Sequence, residues 1–162
     1  MRYFRISQNQ DIPGSVSLRE VNNIGGYHEA RGGDLSKLDS AIVSLVDYIA
    51  LDSCPDIHDR DIFMVKGAVK QTFDMFLPQI QYKHLVITER DGKRYEQYYI
   101  PLLDVLDKSE IQEAMIQDRP IFCFLKGSKE VWVVVSLEVI EAVLRRNPMG
   151  IRIDVITEEI RN

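Results

Sequence analysis

The chain has 162 residues, 45% hydrophobic and 28% charged, the range of one compact domain with its own core. Apolar runs such as Ile121 to Leu125 and Val131 to Val135 are strand-sized, far short of the roughly 20 residues that span a membrane, and the polar stretch from Ser7 to Gln10 interrupts any signal peptide, so a cytoplasmic protein is expected. A net charge of -5 disfavours nucleic acid as a partner and suits a basic protein.

Tyr3 to Ile6 and Val16 to Val21 alternate as strands, and Pro13-Gly14 marks a turn between them. Residues 1–33 are therefore expected to form an amino-terminal hairpin and loop, ending in Gly32-Gly33-Asp34 at a helix start. Leu35, Leu38, Ile42, Leu45, Val46 and Ile49 then fall at helical spacing, although Ala41-Ile42-Val43 and Tyr48-Ile49 would also suit a strand. Ile62 to Val65 is a predicted buried strand. Val69, Phe73, Phe76 and Leu77 mark a helical face that stops at Pro78, and Gln81 to Glu89 returns as a strand.

Arg90-Asp91-Gly92-Lys93 is a tight-turn signal joining that strand to one from about Tyr95 to Leu102. Ser109-Glu110-Ile111-Gln112 has the form of a capping box, and a short helix is expected to follow it. Pro120 to Leu125 and Glu130 to Val135 flank Lys126-Gly127-Ser128-Lys129 as a second hairpin. Leu137, Ile140 and Leu144 mark another helical face, Pro148 closes it, and Ile151 to Thr157 is again a strand. Residues 61–89 and 130–158 thus form two similar strand-helix-strand units, with Ile62, Val69 and Pro78 matching Trp132, Val139 and Pro148. The expected architecture is a single α+β domain over 1–162, a mostly antiparallel sheet with packed helices.

The densest polar constellation is Asp56-Ile57-His58-Asp59-Arg60-Asp61, whose imidazole and carboxylates are of the types that ligate a divalent cation. A solvated loop is the simpler account, and no metal or cofactor is assigned. His28, His58 and His84 lie far apart. The chain carries no Gly-x-Ser-x-Gly elbow, no His-Glu-x-x-His and no phosphate loop, so no catalytic residue is assigned. Gly25-Gly26 and Gly32-Gly33 are expected to be flexible loop, Arg145-Arg146 to complement a helix dipole, and Cys54 and Cys123 to be reduced thiols.

Asp104, Asp107, Glu110, Glu113 and Asp118 crowd a loop and short helix, where a solvated face is the usual meaning. Against a basic protein the same patch would steer association. Tyr95, Tyr98 and Tyr99 lie nearby in the chain, and exposed tyrosines are good interface material, although half of them must face a core. Tyr95, Tyr98, Asp104, Asp107, Glu110 and Glu113 are the candidate partner-binding residues.

The stretch from Asp61-Ile-Phe-Met-Val-Lys through Phe76-Leu-Pro-Gln-Ile-Gln-Tyr-Lys to Tyr98-Tyr-Ile-Pro-Leu-Leu-Asp-Val-Leu-Asp resembles the core of immunity family eleven, bacterial immunity proteins of polymorphic toxin systems. Val133-Val-Val-Ser-Leu-Glu-Val-Ile-Glu-Ala-Val-Leu-Arg-Arg-Asn through Gly150-Ile resembles its carboxy-terminal signature, and together they cover roughly the last 100 residues. Where that family often has a cysteine after Leu106-Asp107, this chain has Lys108. The resemblance implies a non-catalytic protein that occludes a cognate toxin domain. The competing expectations are a hydrolase-like or metal-binding enzyme centred on the His58 loop, and a structural subunit that self-associates through a sheet edge.

Overall fold

The computed structural model describes residues 2–11, 25–49, 54–127 and 130–156. In chain order these form β1 (Tyr3–Gln8), α1 (Tyr27–Arg31), a 3-10 turn (Leu35–Lys37), β2 (Ala41–Val46), β3 (Ile57–His58), β4 (Met64–Val65), α2 (Gly67–Phe76) and β5 (Tyr82–Glu89). They continue with β6 (Tyr95–Pro101), β7 (Val105–Leu106), α3 (Lys108–Ile116), β8 (Ile121–Lys126), β9 (Glu130–Ser136), α4 (Leu137–Leu144) and β10 (Ile151–Ile156). Among the described residues no helix is long and apolar enough to cross a membrane.

The fold is α+β and mostly antiparallel, but it holds two five-stranded sheets where one was expected. The first has the order β10-β1-β9-β8-β7 and the second β2-β5-β6-β4-β3. Among the described residues only β2 with β5 and β7 with β8 pair in parallel.

Both strand-helix-strand units are present, and they share one topology. In the second sheet β4 and β5 do not touch: β6 returns from the Arg90–Lys93 turn and fills the gap, antiparallel to both. In the first sheet β9 and β10 are likewise separated, and the gap is filled by β1, antiparallel to both. The two edges of β1 over Tyr3–Ile6 are therefore taken by β9 and β10, and its expected hairpin partner at Val16–Val21 lies outside the described residues.

The helices end where local chemistry demands. The Ser136 hydroxyl closes β9 and caps α4 in one step, accepting from the Val139 amide. α2 stops at Leu77, whose amide donates to the Phe73 carbonyl, immediately before Pro78. The capping box of α3 sits two residues earlier than expected. Asp107 accepts from the Ser109 and Glu110 amides while the Glu110 carboxylate accepts from the Asp107 amide, so Asp107 and Glu110 fill the roles assigned to Ser109 and Gln112. Arg146 does more than complement a dipole, because it donates to the Gln71 side chain of α2 (3.0 Å).

The segment 35–49 is the main departure. Helical spacing holds for only one 3-10 turn, capped by Asp34, after which Ala41–Val46 becomes β2 and pairs along its whole length with β5. Six parallel pairings are available to β-branched Ile42, Val43 and Val46, and tertiary pairing outweighs the local periodicity. The face expected on α4 also turns. Val139, Ile140 and Val143 are buried, while Leu137 and Leu144 are exposed.

α2 packs on α4, and one apolar cluster joins both helices to both sheets: Val69 and Phe73, Val139 and Val143, Ile6 and Val135, Val65 and Phe63. Separate clusters cover the opposite faces. Ile111 and Ala114 of α3 close the first sheet over Phe122 and Val134, and Ala30, Leu38 and Ile49 close the second over Leu85, Ile87 and Tyr98.

Phe73 is fully buried and stacks on Phe63 at 6.4 Å within the shared cluster. Phe73→Ala is expected to cost about 3–5 kcal/mol in urea denaturation monitored by circular dichroism, with one transition for both sheets. Two separated transitions would show that the sheets hold together independently of this core.

Candidate functional site

The polar run 56–61 is not a solvated loop. Ile57 and His58 form β3 and are buried, as is Asp61, and each acid is spent on a different structural contact. Asp56 accepts from the Met149 amide (2.6 Å) and its own amide donates to the Met149 carbonyl (2.9 Å), tying the start of β3 to the approach to β10. The Asp59 carboxylate accepts from the Gln8 amide (3.2 Å), and Asp61 accepts from the Tyr27 hydroxyl (2.8 Å). His58 packs edge-on against Tyr98. Among the described residues no group of three or more His, Cys, Asp or Glu side chains is placed to hold a metal.

Of the run 56–61, Asp59, Arg60 and Asp61 border a cleft of about 360 Å³ between the two sheets. Its apolar wall comes from Phe63, Leu103, Val105, Val131 and Val133, and its charged wall from Arg5, Arg31, Asp59, Arg60, Asp61 and Glu130. None of the three histidines lines it, so the cleft does not join the His58 loop to His28 or His84. Gly33 lies at the rim with φ +96°, and a Cβ there would sit 2.8 Å from Val105 Cγ2, so only glycine lets this turn approach β7.

Arg5 organises the charged wall. Its guanidinium donates to Glu130, lies 3.7 Å from Asp59 and stacks 4.3 Å from the centroid of Trp132, whose ring also meets the Lys126 ammonium at 5.2 Å. Burial pushes the Asp59 carboxyl above its ordinary value of 3.8, against the opposing pull of the Gln8 amide and Arg5. Cys123 also lines the cleft, but burial pushes its thiol up to about 12, and its sulfur donates to the Asp104 carbonyl (3.3 Å). At neutral pH it is a protonated thiol and a poor nucleophile.

The expected partner-binding residues do not converge. Tyr98 is 1% exposed, its hydroxyl donates to the Pro55 carbonyl (2.7 Å), and burial raises its phenol, so it belongs to the core. Asp107 and Glu110 are exposed but engaged in the capping box, and Glu113 accepts from the Gln117 side chain (2.7 Å). Asp104 is exposed ahead of β7. Tyr95 is exposed at the far end of β6, and a strand of this length puts it roughly 20 Å from the end nearest Asp104.

Tyr95 belongs instead to a surface not anticipated from the sequence. Pairing registers align Leu45, Thr88 and Tyr95 in one row across β2, β5 and β6, and Val43, Val86 and Gln97 in the next row on the same face. α2 covers the other end of this face, where Lys70 lies 4.6 Å over the Tyr82 ring and His84 stacks on Tyr99 at 4.9 Å. Beyond that end, among the described residues, the face is bare. Val43 is 68% exposed, Leu45 53% and Tyr95 62%, and Tyr48 follows the strand at 69%. The signal was the strand-compatible run Ala41-Ile42-Val43, masked by an overlapping helical period.

No family model matches the chain, and no curated protein matches it.

The raised Asp59 carboxyl has a signed consequence. The folded protein holds this proton to higher pH than the unfolded chain does, so the ionised group costs stability near neutrality, and the cost fades as pH falls through the folded value towards 3.8. Asp59→Asn keeps an oxygen for the Gln8 amide and is expected to have the higher urea midpoint near neutral pH, with the gap closing in acid. A natural chain that is the more stable at neutral pH would mean that its pairing with Arg5 outweighs burial.

Proposed function

We propose that this chain is a non-catalytic binding protein that captures a protein partner on the bare face of β2, β5 and β6. The observation that supports this reading is the exposure of Val43, Leu45 and Tyr95 in adjacent rows on one face of the second sheet. Clustered exposed apolar and aromatic side chains on one face are the usual material of an interface core. A broad strand face suits a folded protein better than a small ligand. Net charge -5 favours a basic partner, and the resemblance to immunity proteins makes that partner a toxin domain. The binding centre then lies on Tyr95 and β2, and the acids of α3 contribute only long-range attraction.

The test compares three proteins: the natural chain, Leu45→Glu and Glu113→Gln on α3. Each is co-expressed with a toxin-like domain encoded beside its gene, and complex formation and cell survival are measured. Leu45→Glu is expected to weaken the complex at least tenfold, about 1.4 kcal/mol, and to abolish protection while its melting temperature holds. Glu113→Gln is expected to keep both. Equal loss in the two variants, or a complex indifferent to Leu45→Glu, would sink the reading. A dimer of the natural chain in sedimentation that Leu45→Glu dissociates would assign the face to self-association instead.

A further inference from the structure

We propose that the cleft between the sheets is a binding site for a small amphipathic carboxylate, an apolar chain or ring carrying one anionic head. This cleft is separate from the bare sheet face and does not depend on what that face binds. At about 360 Å³ it falls within the ~300–1,000 Å³ typical of small-molecule sites. It continues the shared core: Cys123 and Val133 belong both to the inter-helix cluster and to the cleft wall, so an apolar body placed there exchanges water for core side chains.

The identity of the head group follows from which charges are already satisfied. All three carboxylates have partners: Glu130 accepts from Arg5, Asp59 from the Gln8 amide, and Asp61 from the Tyr27 hydroxyl. The donors are in surplus. Arg31 and Arg60 line the cleft without an ion-pair partner or acceptor among the described residues, whereas the Arg5 guanidinium is engaged by Glu130 and Trp132. Planar guanidinium groups match a carboxylate in shape as well as charge. A cationic head would instead meet acids that are already occupied and arginines that repel it.

The protein has a single tryptophan, Trp132, and the Arg5 guanidinium that lines the cleft stacks on it at 4.3 Å, so its fluorescence reports on the site. The experiment titrates the full chain with octanoate, 1-octanol and octylamine, which share one apolar body and differ in head group. Amide chemical shifts locate the binding. Octanoate is expected to saturate the Trp132 response and to shift amides at Asp59–Phe63 and Val131–Val133, with 1-octanol at least tenfold weaker and octylamine without saturation. The double variant Arg31→Gln with Arg60→Gln, both on the rim, is expected to weaken octanoate roughly three- to tenfold and leave 1-octanol unchanged. The proposal is overturned by any of four outcomes: no saturable octanoate binding, octylamine binding as tightly as octanoate, shifts confined to the β2–β5–β6 face, or an octanoate affinity that the double variant does not change.

Discussion

The packing of α2 on α4 is the constraint from which the rest of the molecule follows. Each helix is the crossover of a strand-helix-strand unit, and each buries its apolar face against its own sheet. Val69 and Phe73 of α2 and Val139, Ile140 and Val143 of α4 belong to one cluster, so burying either helix draws the opposite sheet towards it. Side chains of this kind contribute ~1.5–3 kcal/mol each when fully removed from water, and here they are buried in one shared cluster. Ten- and eight-residue helices cannot fill the whole space between two five-stranded sheets. Where they stop, the gap is the cleft, and where α2 ends across the second sheet, the strand face is bare.

The crossover topology also explains why one unit takes its middle strand from the chain that follows and the other from the amino terminus. Two parallel strands joined by a helix leave their facing edges unpaired, and buried backbone N–H and C=O groups must find partners. β6 is next in the chain after β5 and turns back through Gly92, whose φ of +71° suits the tight turn. The second unit has β1 instead, brought from 120 or more residues away to pair Tyr3 with both Ser136 and Ile156.

Residues with conspicuous chemistry are used mostly to hold this arrangement. Asp56 ties the approach to β3 to the approach to β10, Tyr98 ties β6 to Pro55, and Asp107 starts α3. Arg5 is different. It sits on the strand that completes the first sheet, reaches Glu130, Asp59 and Trp132 together, and lines the cleft, so it links the core of one sheet to the charged wall. A fold that spends the acids of its cleft on structure and leaves Arg31 and Arg60 unpaired among the described residues has a polarity at the cleft that the net charge of -5 does not suggest.

The sequence by itself determined whatever depends on neighbours a few residues apart. The change from strand alternation to helical period through Ile62–Phe76 and Trp132–Leu144, the stop at Pro78 and the turns at Gly92 and Gly127 are local, and they appear where the pattern put them. Tertiary structure decided everything that depends on a distant partner. Ala41–Val46 became a strand because β5 offered it a parallel edge, and that pairing turned Val43 and Leu45 to solvent beside Tyr95. Tyr95 and Tyr98 have the same side chain three residues apart, yet one is exposed and the other buried because the pleat sends them to opposite faces and only one face is covered there. The acids of 56–61 looked like one cluster, but a strand and its flanks turn them towards Met149, Gln8 and Tyr27 in different parts of the fold. The cleft had no signature at all, since its walls come from six separated stretches that only the docking of two sheets brings together.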